Sequence, residues 1–148
     1  MTTEADNIAL WNSIHIPFAT ELGFQLTGMV DGSSEIQYTP RPEHLNTFGV
    51  THGGASMTLL DVAMAAAARS VAPDLGVITI EMKTTFMQAA RGALVARGKL
   101  VHRTISMAFL EASVFDSRGR LCTHATGTFK YVPRPAVPDG TRPAVSTD

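Results

Sequence analysis

The stretch His44-Leu-Asn-Thr-Phe-Gly-Val-Thr-His52-Gly53-Gly54-Ala-Ser-Met-Thr-Leu-Leu-Asp61-Val-Ala-Met-Ala-Ala-Ala-Ala-Arg69-Ser70 decides the fold. Its second half, from Thr58 to Arg69, consists of strong helix formers without a breaker, so a helix is predicted from about His52 to Ser70, with its end marked by Pro73. That helix is apolar on nearly every side, and a helix of this kind has to be covered. Upstream, Thr39–Val50 contains two prolines, Asn46 and Gly49 and reads as loop.

The flanking segments supply the cover. Phe24–Val30 and Ser34–Tyr38 flank Asp31-Gly32, a dipeptide favoured where a hairpin needs positive φ, and read as two paired strands. After the helix come four strand candidates rich in Val, Ile, Thr and Phe: Val77–Met87, Leu94–Arg103, Ser106–Asp116 and Leu121–Val132. They are expected to form a four-strand meander. An antiparallel sheet wrapped around one long helix buries both, which makes the chain α+β. A short N-terminal helix is expected from Glu4 to about Ile16, ended by Pro17.

With 148 residues, 45% of them apolar, the chain is expected to form one domain over residues 1–132. The remainder, 133–148, carries four prolines in sixteen residues and is expected to be a mobile tail. One cysteine, Cys122, cannot close an intramolecular disulfide, and the acidic start lacks the basic and apolar regions of a signal peptide. A cytoplasmic location is the expectation. No uncharged apolar run approaches the roughly 18 residues of a membrane span, so no membrane partner is expected.

A formal net charge of −1 gives no general attraction to nucleic acid. The charge is uneven, however: residues 1–81 hold nine acids and two bases, and residues 82–148 hold ten bases and four acids. The later strands therefore offer positive charge to an anionic ligand, or simply present solvated faces.

The chemistry is expected where the helix begins. N–H groups in a helix's first turn lack intrahelical partners and carry the positive end of the dipole, so they receive an anion or a polarised carbonyl oxygen. Gly53 and Gly54 leave the approach open. Asp61 stands among Leu59, Leu60, Val62, Ala63 and Met64. An ionised carboxylate there is costly unless paired or hydrogen-bonded, and partial burial raises its pKa into the range of a general base; a nucleophile is the alternative. Asp61 lies eight residues past Gly53, about 12 Å along the axis at roughly 1.5 Å per residue. If both serve one reaction, Asp61 must meet the Gly53 end of a second, antiparallel helix across a two-fold interface.

The pattern His-x-Asn-x-x-Gly-x-x-His-Gly-Gly (residues 44–54), followed by the helical Asp61, resembles the PaaI-type branch of the hotdog-fold thioesterases, with the match running from about Pro17 to Tyr131. The resemblance implies a hotdog fold, the helix as sausage and the sheet as bun, in dimers or tetramers that hydrolyse acyl- or aryl-CoA thioesters. On matching positions it implies that the Gly53 N–H polarises the thioester carbonyl and that Asn46 helps to place substrate or water. Asp61 of the partner chain then activates water or attacks the carbonyl. His52 positions the loop or the thioester, or is an ordinary cap. Thr79 orients the attacking water, or is an ordinary strand threonine. Some relatives carry Glu in place of Asp61 and a Thr one turn later; this chain has Ala65 there and falls in the Asp branch.

Lys83, Arg91 and Arg103 are candidates for the coenzyme A phosphates, and Phe48, Met57 and Met64 for the acyl pocket, although methionines and aromatics also serve as plain core. No cofactor is expected beyond the coenzyme A carried by the substrate. Five dispersed histidines and one cysteine predict no metal site. Gly54-Ala-Ser56-Met-Thr lacks the second glycine of a nucleophile elbow. Two rivals stay open: a hotdog hydratase or dehydratase, and a non-catalytic binder of acyl-CoA.

Overall fold

The computed structural model describes residues 2–134; the expected tail lies almost wholly outside them. Helix α1 (Glu4–Ser13) opens with a capping box, in which the Thr3 hydroxyl and the Asp6 carboxylate satisfy each other's backbone N–H groups. Pro17 does not merely end a helix: it is the first residue of a second one, α2 (Pro17–Leu22), closed by Gly23 at φ 80. A proline at the first helical position sacrifices only an N–H that would be orphaned anyway.

Strands β1 (Gln25–Val30) and β2 (Ser33–Tyr38) pair antiparallel. Asp31 and Gly32 between them take φ of 50 and 81, the conformation of a tight hairpin. One 3-10 turn, Pro42–His44, interrupts the following loop. Helix α3 (Gly53–Arg69) is followed by β3 (Leu75–Phe86), β4 (Leu94–Arg103), β5 (Met107–Phe115) and β6 (Leu121–Pro133).

The six strands form one antiparallel sheet in the order β1-β2-β4-β5-β6-β3. The expected four-strand meander is thus corrected: β4, β5 and β6 form a three-strand meander, and β3 lies at the far edge beside β6. The burial patterns explain the exchange. β4 alternates buried Leu94, Ala96 and Gly98 with exposed residues and packs in the middle of the sheet, whereas most of β3 is exposed.

Helix α3 lies on one face of this sheet. Leu59, Leu60, Ala63, Met64, Ala67 and Ala68 are wholly buried and pack with Ala96, Ala112, Val114, Ala125 and Phe129. Each fully buried leucine or methionine contributes about 1.5–3 kcal/mol by leaving water. Small residues set the helix close to the strands: a Cβ on Gly98 would collide with the Ala63 carbonyl, and one on Gly127 would press on Met64 at 3.1 Å. The Ser34 hydroxyl donates to the Ala63 carbonyl at 2.6 Å, and the Tyr131 hydroxyl to that of Ala68 at 2.7 Å. No helix among the described residues is long and apolar enough to cross a membrane.

Candidate active site

The loop before α3 is shaped by its polar residues. The Asn46 Oδ1 accepts from the N–H groups of Phe48 at 2.9 Å and Val50 at 3.2 Å, and Gly49 turns at φ 69. Because both partners are donors, the amide orientation is fixed, with Nδ2 left to donate elsewhere. His44, buried beneath the loop, accepts on Nδ1 from the Arg41 N–H and stands 2.7 Å from the Tyr38 hydroxyl; its carbonyl receives the His52 N–H. The first histidine and the asparagine of the motif therefore hold the entry to the helix.

His52 is the N-cap of α3, its Nδ1 accepting from the Gly54 N–H at 2.8 Å. The imidazole proton is accordingly on Nε2. The N–H groups of Ala55 and Ser56 both reach the His52 carbonyl. Gly53 is left: its N–H has no acceptor among the described residues. The Gly54 N–H, by contrast, is spent on the cap.

The Gly53 end of the helix opens on a groove of about 610 Å³ lined by Asn46, Phe48, Val50, Thr51, Ser56 and Phe86, with Arg91 and Thr123 also on its wall. Phe48 is 82% exposed and Phe86 53% exposed, two large rings on the groove's rim. Sequence reasoning missed Phe86, Thr51, Ser56 and Thr123. Ser56 was within reach of it, since a residue three positions on shares Gly53's helical face. Phe86 and Thr123 come together only through the long-range pairing of β3 with β6.

Asp61 lies elsewhere on the helix, outside this groove. It is half-buried rather than enclosed on nearly every side. Its Oδ1 accepts from the Thr79 hydroxyl at 2.6 Å. Burial pushes the Asp61 carboxyl above its ordinary value, and the Thr79 bond pulls part of the way back. Asp61 and Thr79 thus form one cluster, and Gly53, Asn46, Phe48 and Arg91 another.

Several other expected residues fall outside both clusters. Met64 is fully buried against Gly127 and belongs to the core. Met57 does not line the groove. Met82 pairs with Gly127 on the face toward α3, so Lys83, the next residue, points away from the helix. Arg103 lies at the opposite end of α3, with its guanidinium 4.6 Å from the centre of the Tyr131 ring and 3.4 Å from the Val71 carbonyl. Of the three basic candidates, Arg91 alone is at the groove. Among the described residues no three His, Cys, Asp or Glu side chains converge.

Comparison with known proteins places this geometry in context. The family model described as the thioesterase superfamily matches residues 48–123. A protein of Archaeoglobus fulgidus named as an esterase is 32% identical over 109 residues, covering 72% of this chain and 70% of its own. Among solved structures, a conserved protein of Pseudomonas aeruginosa superposes with a TM-score of 0.78 at 25% identity, covering 82% of this chain and 98% of that one. The PaaI protein of the phenylacetic acid degradation operon of E. coli gives 0.78 at 19% identity, with 84% and 91% covered. At that identity the likeness to PaaI concerns the fold.

Proposed function

The chain belongs to the thioesterase superfamily, and from that membership and the layout of α3 we infer that it hydrolyses acyl- or aryl-CoA thioesters to the free acid and CoA at a site shared by two chains. One observation carries the reading. The Gly53 N–H, without an acceptor among the described residues, and the Thr79-held Asp61 carboxylate stand apart on one helix, as the two halves of a hydrolytic site shared between chains would. A two-fold axis crossing α3 between them brings Asp61 of one protomer to the Gly53 end of the other.

Strand β3 supplies the means of pairing. It is a twelve-residue edge strand whose outer side has no neighbour among the described residues, and Ile78, Ile80 and Phe86 on it are exposed. An open edge of this length can accept a second strand, with Glu81 and Lys83 near its middle. Thr79 holds Asp61, and the Phe86 ring lies 3.3 Å from where a Cβ on Gly53 would be. Antiparallel pairing of β3 with its copy, centred near Met82 and Lys83, exchanges these two positions.

In the reaction, the thioester carbonyl oxygen accepts from the Gly53 N–H, at the positive end of the α3 dipole. Asp61 of the partner removes a proton from water as it attacks the carbonyl carbon; the tetrahedral intermediate then expels CoA thiolate, which takes that proton back from the Asp61 carboxyl to leave as the thiol. Direct attack by the carboxylate, giving an anhydride that water hydrolyses, fits the same geometry. Thr79 orients Asp61 itself rather than a water. Asn46 and Arg91 both line the groove, which supports a substrate contact from the Asn46 Nδ2, left over by the loop, and a CoA phosphate contact from Arg91.

The test is thiol release from a panel of acyl- and aryl-CoA esters by the wild type and Asp61→Asn. Turnover that the substitution abolishes supports the reading. Tight binding of the esters without thiol release overturns it, in favour of a binder or a dehydratase.

A further inference from the structure

The two ends of the sheet differ. β3 at one end is open among the described residues, whereas β1 at the other lies against α1. That contact is polar. Glu4 Oε1 accepts from the Met29 N–H at 3.2 Å, and Asn7 Nδ2 donates to the Met29 carbonyl at 3.1 Å. Two side chains of one helix thus engage both backbone groups of one residue on the edge strand, as a neighbouring antiparallel strand would. The Asn7 amide also reaches the Ser70 carbonyl at 3.4 Å, and the Ser70 hydroxyl accepts from the Gly32 N–H at 2.8 Å, tying the adjoining turn to the end of α3.

The choice of residues on α1 follows the needs of that edge. Asn7 is 1% exposed and is the buried residue of the helix, while Ile8, Leu10 and Trp11 are only half-buried. A helix attached for its apolar surface alone would bury those three and leave the asparagine outside. Both neighbours of Nδ2 are carbonyls, which fixes the amide, and Oδ1 is left buried without a partner among the described residues. The fold accepts that orphan in exchange for a satisfied Met29. Gly28 leaves room for the carboxylate, since a Cβ there would stand 3.3 Å from Glu4 Oε1. The strand itself, Gln25-Leu-Thr-Gly-Met-Val30, has no charged residue, whereas β3 carries Glu81 and Lys83. Charges on an exposed edge discourage unwanted strand pairing, and β1 lacks them.

We propose that the β1 edge is a second self-pairing surface, fitted to the β1 strand of another copy of this chain, and that α1 is the plug that keeps that copy off through Glu4 and Asn7. This rests on the β3 pairing inferred above and goes beyond it by stating what ends the assembly. Joining two chains through β3 makes one continuous sheet with a β1 strand at each outer end. Two bare β1 edges would let dimers join end to end, and alternating two-fold contacts of this kind extend without closing. With α1 seated on Met29, the sheet stops.

The experiment compares the purified full chain with its Glu4→Ala/Asn7→Ala double variant by sedimentation at rising protein concentration. The wild type keeps one mass throughout. The double variant, with an unchanged circular dichroism spectrum, gives heavier species that grow with concentration. Adding Thr27→Lys, which sets a charge at an exposed position of β1, returns the mass to the wild-type value. The single variant Glu4→Ala alters an exposed residue and spares the Asn7 bonds. In it the Met29 amide exchanges hydrogen about tenfold faster than in the wild type, the scale of one hydrogen bond to a charged group, while the Ile36 amide on β2 is unchanged. That readout decides the matter even where the double variant does not fold. A folded double variant with the wild-type mass at every concentration, growth that Thr27→Lys does not reverse, or unaltered Met29 exchange in Glu4→Ala overturns the plug. A wild-type monomer whose double variant dimerises keeps the plug and overturns the β3 pairing instead.

Discussion

Replacing Gly53 by proline removes one N–H and almost nothing else. Gly53 is the first residue of α3, the position where proline is best accommodated. The preceding His52 already has φ −58 and ψ 137, so its ψ falls in the extended range that a following proline requires. The new ring atoms meet Phe86, whose Cε1 and Cζ lie 3.3 Å from the Cβ position; that ring is half-exposed and can move by the few tenths of an ångström needed. The His52 cap on Gly54 is untouched. Folding is therefore expected to survive, and catalysis to lose its carbonyl donor. Loss of one such donor costs about 100- to 1,000-fold in kcat, or about 2.7–4 kcal/mol. Gly53→Ala is the matched control, placing the same Cβ against Phe86 while keeping the N–H, and its loss is expected to stay within about tenfold. Thiol release at saturating acyl-CoA, with circular dichroism to verify the fold, makes the comparison. A folded Gly53→Pro protein as active as Gly53→Ala would refute the assignment of this N–H.

Asp61→Asn is expected to lower kcat at least about 100-fold, the usual worth of a positioned base. The same substitution should raise the melting temperature at neutral pH. The folded Asp61 carboxyl titrates above its ordinary value, so its favourable contribution is complete below the unfolded pKa and is lost as pH rises through the folded one. At neutral pH the ionised form is a standing cost, which asparagine removes; an unchanged or lower melting temperature would contradict this. Thr79→Val deletes the bond that holds the carboxyl pKa down, so the acid limb of the kcat/KM profile should move to higher pH. A uniform drop at every pH would mean that Thr79 acts otherwise. Gly98→Ala drives a methyl into the Ala63 carbonyl and the Ser34 hydroxyl and should destabilise the fold by about 3 kcal/mol, as measured by chemical denaturation.

What the sequence made legible was local. The run Thr58–Arg69 has helix formers and no competing signal, and α3 ends within a residue of the expected bounds. Asp31-Gly32 gave the hairpin because only certain residues tolerate its two positive φ values, and β4 matches its expected span Leu94–Arg103. Strand order was not legible, since the pairing of β3 with β6 joins residues such as Thr79 and Phe129, fifty positions apart, and no local pattern encodes it. The same limit hid the Thr123 side of the groove. Pro17 reads as a stop in the sequence, which hides α2, although Gly23 six residues on marks a helix end. Side-chain direction was the other gap: Met57, Met64, Lys83 and Arg103 are ordinary members of their elements, and only packing shows that they point away from the groove.

The claim that two chains build one site is tested most directly by mixing two inactive variants, Asp61→Asn and Gly53→Pro, under conditions that let protomers exchange. In a mixed dimer, one of the two sites combines the intact Asp61 of one chain with the intact Gly53 of the other. Random exchange of equal amounts should therefore restore about a quarter of wild-type thiol release. No recovery from subunits that demonstrably exchange would contradict a shared site and return both functions to a single chain.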